Sequence, residues 1–335
     1  MKICIVGDQH FRLEQPYSSA VSDGRKGEWE AVKKTIHDTA KGCDVIVLLG
    51  DGLNARHNNS SVIREFVEFL NGFGDKPIHI LIGNHERYGT STALDFLDKV
   101  NHPNWTIYSS VTEDVQLFLN VSATFVPYMT PALMGVETKE DAENILNDLK
   151  KADIAFFHHA ITGTKNTEFF DEIMIDQSKL KSGFTFGGHV HKPERLSNTV
   201  IVTGNLMTHE IGEHRKMIWV WDSVTNTALD IPLPVREIHK VDWNNDPDKI
   251  FGGIPDNSIV KCIVTIRGTD IDLVHETLKR FDAHLVVEQY QSEREKTHFE
   301  GGALDLGIEN LLKLYAEAKG VVYEDLKSGF EMIKN

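Results

Sequence analysis

The feature that most constrains this chain is a repeated pattern in which a short apolar run ends in a cluster of polar residues. The pattern occurs five times, and the clusters are Asp8-Gln9-His10, Gly50-Asp51, Gly83-Asn84-His85-Glu86, His158-His159 and Gly188-His189-Val190-His191. Short apolar runs bounded by turn residues are typical of buried strands. Ligands of open α/β sheets bind beyond the carboxyl ends of such strands. The five clusters are therefore predicted to converge on one metal site.

The donor types in these clusters favour two cations rather than one. The Asp51 carboxylate could bridge two ions, and Asn84 could complete a coordination shell without adding negative charge. Mixed nitrogen and oxygen ligands suit manganese, iron or zinc, and the imidazoles disfavour a site for magnesium or calcium alone. Two cations about 3.5–4 Å apart, joined by a carboxylate, are a known arrangement for phosphoryl transfer. Asp8 and His10 are only two residues apart, so a bend is needed for both to face one ion.

Each cluster alone has a simpler interpretation. Asp8 could cap the next element of secondary structure. One of His158 and His159 could be a hydrogen-bonded core histidine, and His189-Val190-His191 could be an alternating surface stretch. The recurrence of the pattern at five strand ends favours a shared site over five separate explanations.

Composition limits the classes of protein that the chain can represent. Its 335 residues are 41% hydrophobic and 25% charged, which is ordinary for a globular protein and allows about two domains. No apolar run reaches the ~18 residues of a membrane span, and the first run reads as a strand rather than a signal peptide. Three cysteines are too few for a disulfide framework, which predicts a cytoplasmic location. The net charge of −15 argues against a polyanion binder that works by charge alone, although two bound cations would change the local charge.

The order of elements predicts the fold class. The sequence predicts strands at 2–6, 44–49 and 77–82. They alternate with three predicted helices: one at 28–41, one capped by Ser60 or Ser61, and one that begins near Thr90. Further strands are predicted at 106–108, 115–119, 123–126, 153–157, 200–202, 217–221 and 228–231, with a helix from Thr138 to about 151. Two groups of strands with helices between them predict an α/β fold, a two-sheet sandwich flanked by helices.

Breakers and composition divide the chain into three predicted parts. Residues 1–240 form the sandwich, and residues 242–257 contain Pro and Gly clusters typical of a linker. Residues 241–290 hold a small β-α-β cap unit, with strands at 259–266 and 284–287 and a helix at 270–281. Residues 291–335 form a charged tether and a tail with helical apolar spacing.

The five clusters resemble the five motifs of calcineurin-like metallophosphoesterases. Within that superfamily the chain is similar to the SbcD-type DNA repair nucleases, especially the recombination exonuclease subunit of tailed phages. The similarity covers nearly the whole chain and includes Gly204-Asn205, the Trp-rich hairpin near 217–231 and the cap unit. It implies a nuclease domain, a DNA-facing cap and a tail that binds a partner.

The resemblance assigns roles to particular residues. It implies that Asp8, His10, Asp51 and His191 hold one metal and that Asp51, Asn84, His158 and His189 hold the other. His85 would be the catalytic histidine. His158 is preferred to His159 because the family histidine follows the strand directly, with Gly163 five residues later.

Two positions depart from the pattern of these nucleases. Glu86 stands where they usually carry Asp. Gly52-Leu53-Asn54 replaces their usual apolar-aromatic-Asp sequence after the bridging carboxylate, which is expected to alter loop packing near the site.

The leading functional prediction is a DNA nuclease with double-strand exonuclease and single-strand endonuclease activity. It would use two divalent cations, with manganese favoured and magnesium as the alternative, and would work with an SbcC-type coiled-coil ATPase in an SbcCD-like complex. A homodimer is expected through the helix that carries Val62, Phe66, Phe69 and Leu70, unless these residues pack in their own core.

Two rival functions remain open. One is a phosphatase or small-molecule phosphodiesterase of the same superfamily, although the Asp-Arg-Gly of protein phosphatases is absent at 52–56. The other is a scaffold that has kept the fold without the reaction, although such proteins tend to lose ligands and every ligand type is present here.

Overall fold

Two six-stranded sheets, packed against each other, form the main body of the protein. A computed structural model describes residues 1–118, 120–165, 172–213, 215–243, 251–265, 271–281 and 283–289, with residues 313, 316, 322–324 and 327. The strands are β1 (Lys2–Val6), β2 (Val45–Leu48), β3 (Ile78–Leu81), β4 (Arg87–Tyr88), β5 (Ser91–Thr92), β6 (Trp105–Tyr108), β7 (Thr112–Phe118), β8 (Val121–Val126), β9 (Ile154–Phe157), β10 (Ala160–Ile161), β11 (Met174–Ile175), β12 (Phe184–Gly187), β13 (Glu194–Arg195), β14 (Val200–Val202), β15 (Met217–Asp222), β16 (Thr227–Pro232), β17 (Ile238–Asp242), β18 (Ile259–Thr265) and β19 (Ala283–Gln289).

The two large sheets each contain six strands but differ in the direction of their outer strands. The first has the order β16-β15-β1-β2-β3-β6, and the second has the order β13-β14-β12-β9-β8-β7. In the first sheet β1, β2, β3 and β6 are parallel, β15 is antiparallel to β1, and the edge strand β16 is antiparallel to β15. In the second sheet β8, β9, β12 and β14 are parallel and the two outer strands are antiparallel. The predicted two-sheet α/β fold is confirmed.

Apolar packing explains the layers. Ile3, Ile5 and Val47 of the first sheet pack with Phe125 and Phe156 of the second between the sheets. The alternate residues of the same strands face outward onto helices, because successive side chains of a strand point to opposite faces. Burial on both faces accounts for the continuous apolar strands that the sequence shows.

The helices are α1 (Lys26–Ala40), α2 (Ser60–Asn71), α3 (Asp95–Val100), α4 (Lys139–Asn147) and α5 (Ile271–Leu278). α1 and α2 cover the outer face of the first sheet, and α4 covers that of the second. Short 3₁₀ turns occur at Ser18–Ala20, Ala132–Met134 and Gln177–Lys179. Among the described residues, no helix combines the length and the apolar character that a bilayer crossing requires.

Three details of the helix predictions are corrected. The cap of α2 is Asn59, whose Oδ1 accepts from Ser61 N at 2.9 Å, and not Ser60 or Ser61. α3 begins only at Asp95, because residues 87–92 form the β4–β5 hairpin. α4 ends at Asn147 rather than near 151, although its predicted Thr138 cap is present.

The apolar stripe of α2 faces the interior of the same chain. Val62, Phe66, Phe69 and Leu70 are buried in the cluster that covers the first sheet. These four side chains are therefore not the dimer surface for which they were candidates, and a dimer through α2 has to use its opposite face.

A small parallel sheet follows the sandwich, with the order β17-β18-β19 and α5 between its last two strands. The predicted β-α-β unit is present, but β17 was not anticipated. It spans Ile238–Asp242 and so lies across the predicted boundary at 240. Residues 1–289 form one compact unit and residues 290–335 form another. The division into three domains stays a prediction, and most of the predicted tail lies outside the described residues.

Candidate metal centre

The candidate centre lies where strands of both large sheets end. Asp8, Asp51 and Asn84 follow β1, β2 and β3 of the first sheet. His158 and His189 follow β9 and β12 of the second. Parallel strands bring these ends to one place, which is the physical basis of the sequence prediction.

Backbone hydrogen bonds fasten the first two loops to each other. The N–H of His10 donates to Asp51 O at 2.7 Å, and the N–H of Phe11 donates to Gly52 O at 2.8 Å. The loops after β1 and β2 therefore form one unit, and a displacement of either moves ligand candidates on both.

Three residues of the centre adopt left-handed backbone conformations. The φ angles are 49° at His10, 49° at Asp51 and 75° at His189. Such conformations cost about 1–3 kcal/mol and occur often at functional sites. At His10 and His189 they supply the bend that a ligand pair two residues apart requires.

Two glycines leave room for the side chains of the centre. A Cβ at Gly83 would lie 2.0 Å from Asp51 Oδ1, and one at Gly50 would lie 2.4 Å from His158 Nδ1. Gly50 also has a φ of 99°. Both positions exclude larger residues because the site occupies the space.

The first ligand group contains Asp8, His10, Asp51 and His191. The Nε2 atoms of His10 and His191 lie 3.0 Å apart, and His10 Nε2 lies 3.8 Å from Asp51 Oδ2. Asp8 is fully buried; its Oδ1 accepts from His189 N at 3.1 Å, and its Oδ2 has no hydrogen-bond partner among the described residues. Buried polar atoms normally have a partner. A cation held by these donors would supply one.

The second ligand group contains Asn84, His158, His189 and again Asp51. Asn84 Oδ1 lies 3.0 Å from His158 Nε2 and 3.0 Å from His189 Nδ1. Asp51 Oδ2 lies 3.5 Å from His158 Nε2. The same carboxylate oxygen thus faces both groups, and the donor set of imidazole, carboxylate and amide oxygens fits divalent cations.

The pKa values of the centre differ between its two ligand groups. Burial alone would raise the pKa of Asp51, but the neighbouring His158 charge outweighs it and holds that pKa far below its usual range. Burial lowers the pKa of His158, whereas Asp51 and Asp8 raise it more, to about 9. Burial raises the pKa of Asp8 to about 6. Positive charge is therefore favoured between Asp51 and His158, whereas burial lowers the pKa of His10 and lowers that of His191 to about 4.

His85 stands beside the two groups, with a nitrogen within 4.8 Å of ligand atoms of both His10 and Asp51. Its backbone N–H donates to Asp51 Oδ1 at 2.9 Å, and its Nδ1 lies 2.8 Å from Asn54 O. A carbonyl only accepts, so Nδ1 carries the proton and Nε2 is the nitrogen left for chemistry. Nε2 lies 3.9 Å from Asp51 Oδ2, and 37% of the side chain is exposed.

The two departures from the nuclease pattern contact each other. Glu86 is fully buried, and its carboxylate accepts from Leu53 N and from Gly83 N, both at 2.8 Å. It therefore ties the loop after Asp51 to the loop that carries Asn84. A Cβ at Gly52 would lie 3.1 Å from Glu86 Oε1 and 2.9 Å from the Phe66 ring. The longer side chain of Glu86 thus occupies space that the glycine at position 52 leaves open.

Sequence reasoning missed Glu172. Its Oε2 lies 2.7 Å from Nε2 of His189, whose Nδ1 faces the second ligand group. Carboxylates at the far nitrogen of a ligating histidine fix its tautomer and orientation. Glu172 lies just before β11, and no strand-end pattern marks it in the sequence.

Two further histidines have different surroundings. His159 is buried and faces away from the cluster, where Met129 N donates to its Nε2 at 3.1 Å. The structure thus brings His158 and not His159 into the centre. His209 was not predicted, yet it offers a nitrogen within 4.8 Å of nitrogens of both His10 and His191.

Known proteins give two kinds of similarity. The sequence model described as "Calcineurin-like phosphoesterase" matches residues 1–193 of this chain. An archaeal phosphodiesterase described as novel has a similar solved structure, at 15% identity and a TM-score of 0.36, covering 70% of this chain and 100% of that one. The protein TT1561 of Thermus thermophilus is similar at 15% identity and a TM-score of 0.39, covering 69% of this chain and 98% of that one. No curated protein matches.

The family match spans more than half of the chain and contains all five of the predicted polar clusters. This chain belongs to the calcineurin-like phosphoesterase family.

Proposed function

We propose that this protein is a DNA nuclease that hydrolyses phosphodiester bonds with two divalent cations, as a subunit of an SbcCD-like recombination and repair complex. The observation that carries the proposal is the position of Asp51, whose Oδ2 faces both ligand groups. One ion is assigned to Asp8, His10, Asp51 and His191, and the other to Asp51, Asn84, His158 and His189. When bound, two such ions neutralise phosphate charge and acidify the attacking water.

His85 is assigned the proton transfer. Its Nδ1–H is held by Asn54 O, which directs Nε2 toward the cluster. Its partial exposure leaves Nε2 accessible to a substrate. Because Nδ1 carries the proton of the neutral ring, this role requires the doubly protonated imidazolium. Its Nε2–H orients the phosphate or passes its proton to the leaving oxygen, a contribution of about 10²–10⁴-fold in rate.

The surroundings of the centre support a polyanionic substrate. One cleft beside it is lined by Asn84, Arg56 and Arg87. Another is lined by Lys165 and Lys192 together with Glu210 and Glu213, so its charges balance. The chain as a whole has a net charge of −15, so the basic groups of the first cleft are a local feature. Phosphate contacts from such groups provide the sequence-independent part of nucleic-acid binding.

Manganese is the proposed metal and magnesium the alternative. Imidazole nitrogens occur in both ligand groups, and these suit manganese better than magnesium.

An assay of the full-length protein tests the proposed function. Linear double-stranded DNA, circular single-stranded DNA and an aryl phosphate monoester are each incubated with the protein and manganese, with the His85→Asn variant as the control. The proposal expects shortening of the linear DNA and nicking of the circle, both lost in the variant. Hydrolysis of the aryl phosphate monoester with no change in either DNA would instead establish a phosphatase.

The partner proposal rests on sequence. Almost all apolar positions of the tail lie outside the described residues; these positions are Leu304, Ile308, Leu311, Leu312, Tyr315, Val322, Leu326, Phe330 and Ile333. We propose that residues 303–335 bind an SbcC-type ATPase as a helix in a groove. A chain truncated after Glu300 should keep metal-dependent cleavage and lose co-elution with a co-expressed ATPase. Co-elution of the truncated chain would contradict the assignment.

The homodimer is also a proposal. Since the apolar stripe of α2 is buried, the surface in question is the polar face of that helix. Light scattering at micromolar concentration should give twice the chain mass, and a monomer mass would contradict a dimer.

A further inference from the structure

His209 has an unusual position for a histidine with no assigned role. Its ring centroid lies 5.4 Å from that of His10 and 5.5 Å from that of His191. The Nε2 atom is buried and has no hydrogen-bond partner among the residues that the structure describes. A buried polar atom without a partner costs about 1–3 kcal/mol. An external group that bonds to this atom removes that cost.

The neighbours of His209 determine which ring nitrogen carries the proton. The Lys216 ammonium, which can only donate, bonds to Asn205 Oδ1. This contact turns the Asn205 amide so that its NH₂ group faces His209 Nδ1 at 2.9 Å. An amide NH₂ also only donates, so Nδ1 must accept. The neutral ring therefore carries its proton on Nε2.

The same network holds His209 rigidly. Lys216 also donates to His191 O at 3.0 Å and pairs with Glu213 Oε2 at 3.1 Å. Glu213 Oε2 in turn accepts from the backbone N–H of His209 at 2.7 Å. The backbone and the ring of His209 are thus both tied to the segment that carries His191.

A protonated Nε2 is a donor and not a metal ligand. The ring of His209 lies beside nitrogens assigned to a cation, so an oxygen of a group drawn to that cation is a suitable acceptor for its Nε2–H. We propose that His209 donates its Nε2–H to a phosphoryl oxygen of the substrate. The inference rests on the proposed function only in that the substrate is a phosphoester; it does not require DNA. Loss of one positioned donor of this kind costs about 10²–10³-fold in rate.

Two substitutions test the contact in the full-length protein. His209→Ala should lower kcat/KM for a bis-aryl phosphodiester by about 10²-fold and weaken binding of inorganic phosphate to the manganese-loaded protein. Manganese stoichiometry and affinity, measured by titration calorimetry, should not change. His209→Gln, which can place an amide N–H near the same point, should recover part of both losses. His275→Ala is the matched control, because His275 lies exposed on α5.

A third variant tests the tautomer itself. Asn205→Asp keeps an oxygen for Lys216 and turns a second acceptor toward Nδ1, which moves the ring proton there. Nitrogen-15 NMR should show Nε2 protonated in the native protein and Nδ1 protonated in the variant, and the variant should bind phosphate weakly.

The outcomes separate the possibilities. Weaker manganese binding in His209→Ala would overturn the proposal in favour of a metal ligand. Unchanged phosphate binding in that variant, with the native fold verified by thermal melting, would also overturn it. Failure to cleave DNA would affect only the proposed nuclease function, because neither phosphate binding nor the bis-aryl substrate involves DNA.

Discussion

The contact between Glu86 and Gly52 predicts that these two positions are energetically coupled. Glu86 reaches Leu53 N because its side chain is one methylene longer than Asp, and Gly52 leaves space for its Oε1. We expect Glu86→Asp and Gly52→Ala each to destabilise the protein, and the double variant to be less unstable than the sum of the two.

The magnitudes follow from the distances. Asp at position 86 cannot keep both 2.8 Å bonds with the loops in place, and one buried N–H left without a partner costs about 1–3 kcal/mol. Ala at position 52 puts a Cβ 3.1 Å from Glu86 Oε1 and 2.9 Å from Phe66, and overpacking of this kind costs about 1–3 kcal/mol. The clash with Phe66 occurs whether position 86 is Glu or Asp, so it cancels when the double variant is compared with the two single variants. The carboxylate contact remains, and contacting residues couple by about 0.5–3 kcal/mol.

Urea unfolding of the native protein, both single variants and the double variant measures this coupling. All four are measured with a chelator, so that metal affinity does not enter the free energies of unfolding. Ser178→Ala, an exposed change on the second sheet's side of the chain, serves as a control that should be additive with either single variant. Free energies that add to within about 0.5 kcal/mol would refute the coupling.

Three other changes have defined outcomes. Asp51→Ala should abolish binding of both ions because one oxygen faces both ligand groups, and calorimetry that still finds one tight ion would contradict this. Glu172→Ala should lower the affinity for one of the two ions by about 10–100-fold, because His189 loses its hydrogen-bond partner, and the affinity of Glu172→Gln should be closer to native. An equal loss of affinity for both ions would contradict this prediction. Burial lowers the pKa of His79 from 6.5 to about 4, so the unfolded chain takes up its proton first as the pH falls. The neutral His79 therefore contributes about 3 kcal/mol to the free energy of unfolding above pH 6.5, and this contribution is lost as the pH falls toward 4. The free energy of unfolding of His79→Phe should depend less on pH over that range.

The strands and their polar ends could be predicted because a local pattern encodes them. Each apolar run is buried on both faces, and each ends where Gly or a polar residue stops it, as with Val45–Leu48 before Gly50-Asp51. Parallel pairing then brings the ends together. Most of the candidate centre follows from these two facts.

Other features depend on tertiary contacts that have no local signal. Asn59 caps α2 although Ser60 and Ser61 have equally suitable side chains, and only the backbone path decides between them. Glu172 and His209 lie in loops and reach the centre through the folding of distant segments. Their residue types are ordinary for surface loops, so no pattern in the sequence distinguishes them.

If the proposed ions bind, the assembly of the centre from both large sheets would link the supply of metal to the lifetime of the protein. Asp51 and Asn84 come from one sheet and His158 and His189 from the other, so ions bound there hold the two sheets together. Ligands that bind only the folded state stabilise it by about 4 kcal/mol at a free concentration one thousand times the Kd. This is a large share of the ~5–15 kcal/mol by which a typical domain is stable. A cell that runs short of the cation would therefore expose this chain to unfolding and proteolysis, and its abundance would fall together with its activity.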